Sequence, residues 1–281
     1  MLKSGYRLLL ALGLGPFAVC LAGPSHEGFR WVVCYSDKPQ VVEFQSFDLA
    51  VLDSDTHPPL AGLARDGTSL LAYLSLGEIG NHRAYFEAVK AEGILLGENP
   101  NWPGSFFVDI RDPRWQRRVI GQLVPEILAS GFAGVFLDTL DDPAALERAD
   151  QERHRGMTAG AANLIRNLRQ AFPRIHIMVN RGYELVPEIA PLVDVLLGES
   201  VYTTYDAAKK RYFRVPDAQY RQQVGLMQQA LRWNPKLRLC ALDYWDPSDR
   251  KEIWHIYQVE RANGFAPYVA TPELDRIVRA P

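Results

Sequence analysis

Short apolar runs recur along the chain, each followed by polar loop residues and then usually by a helical pattern. They are WVVCYS from Trp31, FDLAVLD from Phe47, SLLAYLSLGE from Ser69 and GVFLD from Gly134. IHIMVN from Ile175, VDVLLGES from Val193, LRLCALDY from Leu237 and APYVA from Ala266 complete the series. Most are apolar throughout and do not alternate, the pattern of parallel strands covered on both faces. The stretch RDPRWQRRVIGQLVPEILASG predicts a helix with Asp112 as N-cap and Pro113 at its first position. Trp115, Val119, Leu123 and Ile127 share one face of it, Gly131 ends it, and Pro125 predicts a kink. Similar cap-and-proline signals predict helices starting at Asp246–Pro247 and Thr271–Pro272. Strand and helix thus alternate eight times, with one turn-rich insertion, GENPNWPGSFFVDI, between the third and fourth strands. The expected architecture is a single α/β domain over residues 23–281, a (β/α)8 TIM barrel. A doubly wound open sheet is the alternative, but no glycine-rich phosphate loop follows the first strand.

Composition adds a compartment and excludes one class of partner. Lys3 and Arg7 precede the uncharged LLLALGLGPFAVCLA, and small residues surround Cys20–Ala22. This predicts a signal peptide over residues 1–22 and a periplasmic or secreted protein. The competing reading, a membrane anchor, is disfavoured because the run is short and broken by Pro16. Cleavage removes two of the 31 basic residues and none of the 33 acidic ones, leaving a net charge of about −4. A mildly acidic chain without basic clusters argues against nucleic acid as partner. The mature protein is expected to be a monomer free of the membrane. Cys34 and Cys240 remain after cleavage and read as small buried hydrophobes.

In a parallel barrel every strand delivers its C-terminal end to the same face. Those ends carry Tyr35 and Asp37, Asp53 and Asp55, Glu78, and Asp138. The later ones carry Asn180 and Arg181, Glu199, Asp243 with Tyr244, and Thr271. Any one acid can be explained as a helix cap. Gathering many costs desolvation and repulsion, which points to a site. Asp138 opens the acid burst of GVFLDTLDD, and Glu199 directly follows VLLG. Their strands lie two apart, about 10 Å between backbones. Inward-leaning carboxyls can then reach the roughly 5–5.5 Å of retaining glycosidases or the wider inverting separation, and the sequence leaves both open. Trp102, Tyr183, Tyr202, Tyr205, Tyr244 and Trp245 fall in loops after strands or in the insertion, where flat rings suit sugar faces or pack the loops. The six histidines are scattered without metal-ligand spacing, and no glycine-flanked serine nucleophile occurs.

From Trp31 to about Ala270 the chain resembles the endo-α-1,4-polygalactosaminidase family, glycoside hydrolase family 114. The motifs, in order, are WVVCYS, FDLAVLD, AYLSLGEIGNHRAYF, FFVDIRDPRWQRRVI, GFAGVFLDTLD, VNRGYEL and LLGES. The resemblance implies a (β/α)8 barrel that cleaves polymers of partly deacetylated galactosamine, around exopolysaccharide biosynthesis or biofilm matrix; with no ligand cluster visible and two carboxylates sufficient for the chemistry, no cofactor or metal is expected. It assigns Asp138 as nucleophile and Glu199 as acid/base, with retention of configuration. Tyr35, Asp53, Glu78, Arg83 and Asp109 fall on motif positions expected to line the sugar site. Asn180, Tyr202, Asp243 and Tyr244, at later strand ends and loops, complete the expected substrate-binding set. Ala133 departs from the family's usual Asp, at the strand end away from the chemistry. Asp37, Asp53, Glu78, Asp109, Asp141, Asp243 and Asp246 predict a negative cleft and a cationic polysaccharide as partner. Two alternatives stay open, a non-catalytic sugar-binding relative and an α-glycosidase acting on a different polysaccharide.

Overall fold

In the computed structural model, which describes residues 28–64 and 67–280, the eight apolar runs form one eight-stranded sheet in chain order. The strands are β1 (Trp31–Cys34), β2 (Leu49–Asp53), β3 (Ser69–Ser75) and β4 (Gly134–Asp138). β5 (His176–Asn180), β6 (Val195–Glu199), β7 (Arg238–Tyr244) and β8 (Ala266–Ala270) follow. Each pairs in parallel with the next. β8 comes back beside β1, where the Trp31 indole N–H donates to the Ala266 carbonyl at 2.9 Å and its ring packs on Tyr268. The expected TIM barrel is therefore the fold. The strands are buried on both faces, which is why their sequences do not alternate. The predicted signal peptide lies outside the described residues. Among those described, no helix is long and apolar enough to cross a membrane.

The helix after the insertion shows the punctuation read from the sequence. Asp112 accepts the Arg114 N–H at 2.8 Å, and Gly131 closes the helix at a φ of 112° that a residue with a Cβ rarely adopts. Ahead of Pro125, residues Val119–Leu123 widen into a π turn between the α-helical Pro113–Arg118 and Val124–Ser130. Proline has no N–H to give to the preceding turn and its ring crowds that turn's carbonyl; the wider turn absorbs both.

Two expected helix starts are corrected. Asp246 spends its carboxylate on the N–H and hydroxyl of Ser248, closing a turn. The helix begins instead at Arg250, capped by Asp249 through the Glu252 N–H. Among the described residues no helix follows β8. After one turn at Thr271–Leu274, residues 275–280 fold back along the barrel. The Leu274 carbonyl accepts the Tyr35 N–H at 2.7 Å, the Tyr268 hydroxyl accepts the Val278 N–H, and Arg250 holds the carbonyls of Arg279 and Ala280. Two antiparallel additions depart from the strand–helix alternation. The insertion is a three-stranded sheet of Glu78–Gly80, Ser105–Val108 and Leu95–Glu98, with Ser105–Val108 central. A hairpin of Thr203–Asp206 and Arg211–Arg214 follows β6.

Candidate active site

β4, β5 and β6 are hydrogen-bonded neighbours that end in Asp138, Asn180 and Glu199. The amide nitrogen of Asn180 donates to Asp138 Oδ1 at 2.9 Å and to Glu199 Oε2 at 2.7 Å. Two such bonds to one nitrogen hold those carboxylate oxygens at most about 5.6 Å apart. Each carboxylate also receives a phenol: Tyr73 donates to Asp138 Oδ2 at 2.9 Å, and Tyr244 to Glu199 Oε1 at 2.6 Å. Tyr35 packs edge-on against Tyr73. Directly after the three strand ends, Thr139, Arg181 and Ser200 take left-handed φ values of 61°, 53° and 54°. The chain thus turns out of the barrel immediately after each of these side chains, a conformation unfavourable for residues other than glycine.

Burial raises the pKa of Glu199, and the Asp138 charge raises it further. The donors Tyr244 and Asn180 act in the opposite direction, but the net shift is upward. Burial also lifts the phenols of Tyr35, Tyr73 and Tyr244 well above their ordinary value, so all three stay neutral and Tyr73 and Tyr244 donate as neutral phenols.

The pair opens into a cleft of about 810 Å³ whose floor includes Val33, Phe136, Leu197 and Leu242. Asp53, Glu78, Asp141, Asp142 and Glu273 line it beside the pair, against two arginines, Arg83 and Arg181. Both arginines are already engaged. Arg83 grips Asp53 with two nitrogens at 2.6 and 3.3 Å and Asp55 at 2.6 Å. Arg181 reaches Asp141 at 2.9 Å. Burial alone would raise Asp53, but the Arg83 hydrogen bonds and charge outweigh it and hold the carboxyl low. Asp142 moves up, through burial and the Glu78 charge. Gly77 joins β3 to the insertion where any Cβ would lie 2.4 Å from the Thr139 carbonyl, so only glycine fits the crossing. Among the described residues no group of three or more His, Cys, Asp or Glu is arranged to hold a metal ion.

Of the residues expected from the sequence, Tyr35, Asp53, Glu78, Arg83, Asn180 and Tyr244 line the cleft with Asp138 and Glu199. Asp109, Tyr202 and Asp243 are not among its lining residues. Asp109 follows an insertion strand instead of a barrel strand, and its carboxylate is held by Arg111, which also binds the carbonyls of Arg153 and Arg155. Asp243 precedes Tyr244 on β7, and alternate side chains leave a strand on opposite faces. It accepts the N–H groups of Tyr202 and Thr203 behind the barrel wall, fully buried. Tyr202 packs against Tyr220 and His255, with the Arg214 guanidinium over its ring. Asp37 and Asp246, expected in the negative field, are likewise absent from the lining, and Asp142 and Glu273 contribute in their place. Tyr73, hidden in an apolar run, is a further residue on the pair. Its signal is positional: it lies two residues before Ser75, the last residue of β3, and so on the same face. Cys34 and Cys240 are buried free thiols, as expected, and burial pushes the Cys34 thiol up to about 11.

The model of glycoside-hydrolase family GH114 matches residues 19–281. An uncharacterized protein of Deinococcus radiodurans is 30% identical over 277 residues, covering 92% of this chain and 84% of that protein. The glycoside hydrolase domain of PelA from Pseudomonas aeruginosa superimposes with a TM-score of 0.77 at 30% identity, over 88% of this chain and 96% of that domain. Aspergillus fumigatus Ega3, solved in complex with galactosamine, shares the fold with a TM-score of 0.67 at 16% identity, over 95% of this chain and 100% of that one.

Proposed function

Because this chain belongs to glycoside-hydrolase family GH114, we propose that it cleaves α-1,4-linked galactosamine-containing polysaccharide with retention of configuration. Asp138 attacks the anomeric carbon while Glu199 gives its proton to the departing glycosidic oxygen. Water, deprotonated by Glu199, then releases the sugar from Asp138. The observation that carries this reading is the Asn180 bridge. It keeps the bridged oxygens of the two acids within about 5.6 Å, compatible with the roughly 5–5.5 Å of retaining enzymes. The upward shift of Glu199 suits the group that must hold a proton, and Tyr73 and Asn180 aim Asp138. The acids of the cleft outnumber its two occupied arginines, which favours a polymer bearing protonated amines over a neutral glucan. Export from the cytosol, expected from the amino-terminal segment, belongs to the same proposal.

The test is the initial rate of new reducing ends from α-1,4-galactosaminan, deacetylated or fully N-acetylated at matched length, in low and high salt. The deacetylated polymer should be cleaved faster, with an advantage that shrinks as salt screens charges over about 8–10 Å. Asp138→Asn and Glu199→Gln should each lower turnover on the order of a hundredfold or more while the fold persists by circular dichroism. Equal rates on both polymers in low salt would remove the amine from recognition. A variant with near wild-type turnover would remove that residue from the chemistry.

A further inference from the structure

Trp102 is 70% exposed, although an indole is usually well buried. It stands on the loop between two insertion strands and lines the same cleft as Asp138 and Glu199. That loop is tightly tied. The Trp102 N–H donates to the Asn99 carbonyl and the Ser105 N–H to the Trp102 carbonyl, at 3.1 and 3.0 Å. Asn99 and Ser105 close the loop through a 2.8 Å backbone bond, and the Gly104 N–H donates to Glu98 at 2.7 Å. The side chains of Asn99 and Ser105 also reach down to Glu78, donating to Oε1 and Oε2 respectively. Glu78 is only 5% exposed. Burying a carboxylate is costly unless it is well bonded, and here both oxygens are engaged in holding the loop.

We infer that Trp102 is a stacking platform for a sugar of the bound glycan beyond the one undergoing cleavage, and that Glu78 positions this platform. The inference rests on the glycan reading above and deepens it. A pyranose has an apolar C–H face that fits an indole, and a protonated amine over the ring adds cation–π attraction. A rigid loop presents the ring without the ordering cost a mobile one would carry on binding. The platform is continuous with the catalytic cleft, so its occupant is the same chain, extended. Long galactosamine oligomers should therefore be favoured over short ones.

The experiment compares wild type, Trp102→Ala, Trp102→Phe and Glu78→Gln on α-1,4-linked galactosamine oligomers of increasing length, with kcat and KM separated. Binding of the same oligomers is measured by calorimetry in an Asp138→Asn background. For Trp102→Ala, the ratio of kcat/KM for long over short oligomers should fall on the order of tenfold, through KM. Trp102→Phe should keep part of the ratio, because a smaller ring still stacks. Glu78→Gln should move the ratio in the same direction with the fold intact by circular dichroism. Unchanged length dependence in Trp102→Ala, with long oligomers bound as tightly as before, would overturn the platform and leave the substrate reading standing. An equal loss on the shortest and longest oligomers would also overturn it, by placing the ring at the cleavage point. If wild type neither cleaves nor binds any of the oligomers, the substrate reading itself falls, and the platform with it.

Discussion

Asn180 gives both protons of one amide to two different carboxylates, so its replacement would loosen the pair and not only one member. That Asp138 and Glu199 meet in one cleft was legible in the sequence because each ends an apolar run, where an acid has no core reason to be. Tyr73 was not, because a tyrosine inside such a run reads as packing, and only the observed 2.9 Å bond gives its hydroxyl a purpose. Asp243 shows the reverse failure, an acid at a strand end whose side chain leaves by the other face. Tyr244→Phe isolates one support of the pair. Its hydroxyl favours the ionised form of Glu199, so removing it drives the already raised pKa further up. With Glu199 as the proposed acid, the alkaline limb of kcat/KM reports loss of its proton and should move to higher pH, with kcat reduced about tenfold. A pH–rate profile checks this, and a limb that stays in place would assign it to another group.

The strands were legible as elements because burial on both faces writes itself as uninterrupted apolar residues. Helix starts were less so. Asp246 and Asp249 both resemble caps, and which carboxylate meets a free N–H depends on the turn between them. The Thr271–Pro272 signal is also genuine locally, but a short helix carries a nucleation cost. Val278 instead joins the cluster of Ile253, Ile256, Tyr257 and Val269. The layer where the helix Arg250–Ala262 covers the barrel wall has a pH signature. Asp243 and Glu260 are both fully buried there, and each keeps one carboxylate oxygen without a hydrogen-bond partner among the described residues. Burial pushes both carboxyls up, Glu260 also through the Asp243 charge, while the N–H groups of Tyr202 and Thr203 and the Asn263 amide pull down. The folded protein therefore holds protons that the unfolded chain releases near pH 4, and this stabilisation is lost as pH rises through the raised values. Glu260→Gln should flatten the fall in Tm between about pH 5 and about pH 9 and exceed wild type at the upper end. Parallel melting curves for the two proteins would locate the pH dependence elsewhere.

For the whole molecule, eight apolar runs in one chain were enough to imply a barrel, and the barrel was enough to gather the strand ends. What the sequence could not convey is which acids are spent on partners, because that depends on arginines arriving from other elements. The three left-handed turns at Thr139, Arg181 and Ser200 bear on the molecule as a whole. Each costs roughly 1–3 kcal/mol, against a net stability of about 5–15 kcal/mol typical of folded proteins. Ser200 makes one side-chain bond, to Thr204. Ser200→Gly should relieve on the order of 1 kcal/mol and raise Tm by about 2 °C, measured calorimetrically. The same change frees the turn that aims Glu199, so kcat should fall. A variant that gained both stability and rate would show the turn to be idle. Thermostability engineering of this barrel would thus meet its trade-off at the strand ends, where a more durable protein is a slower one.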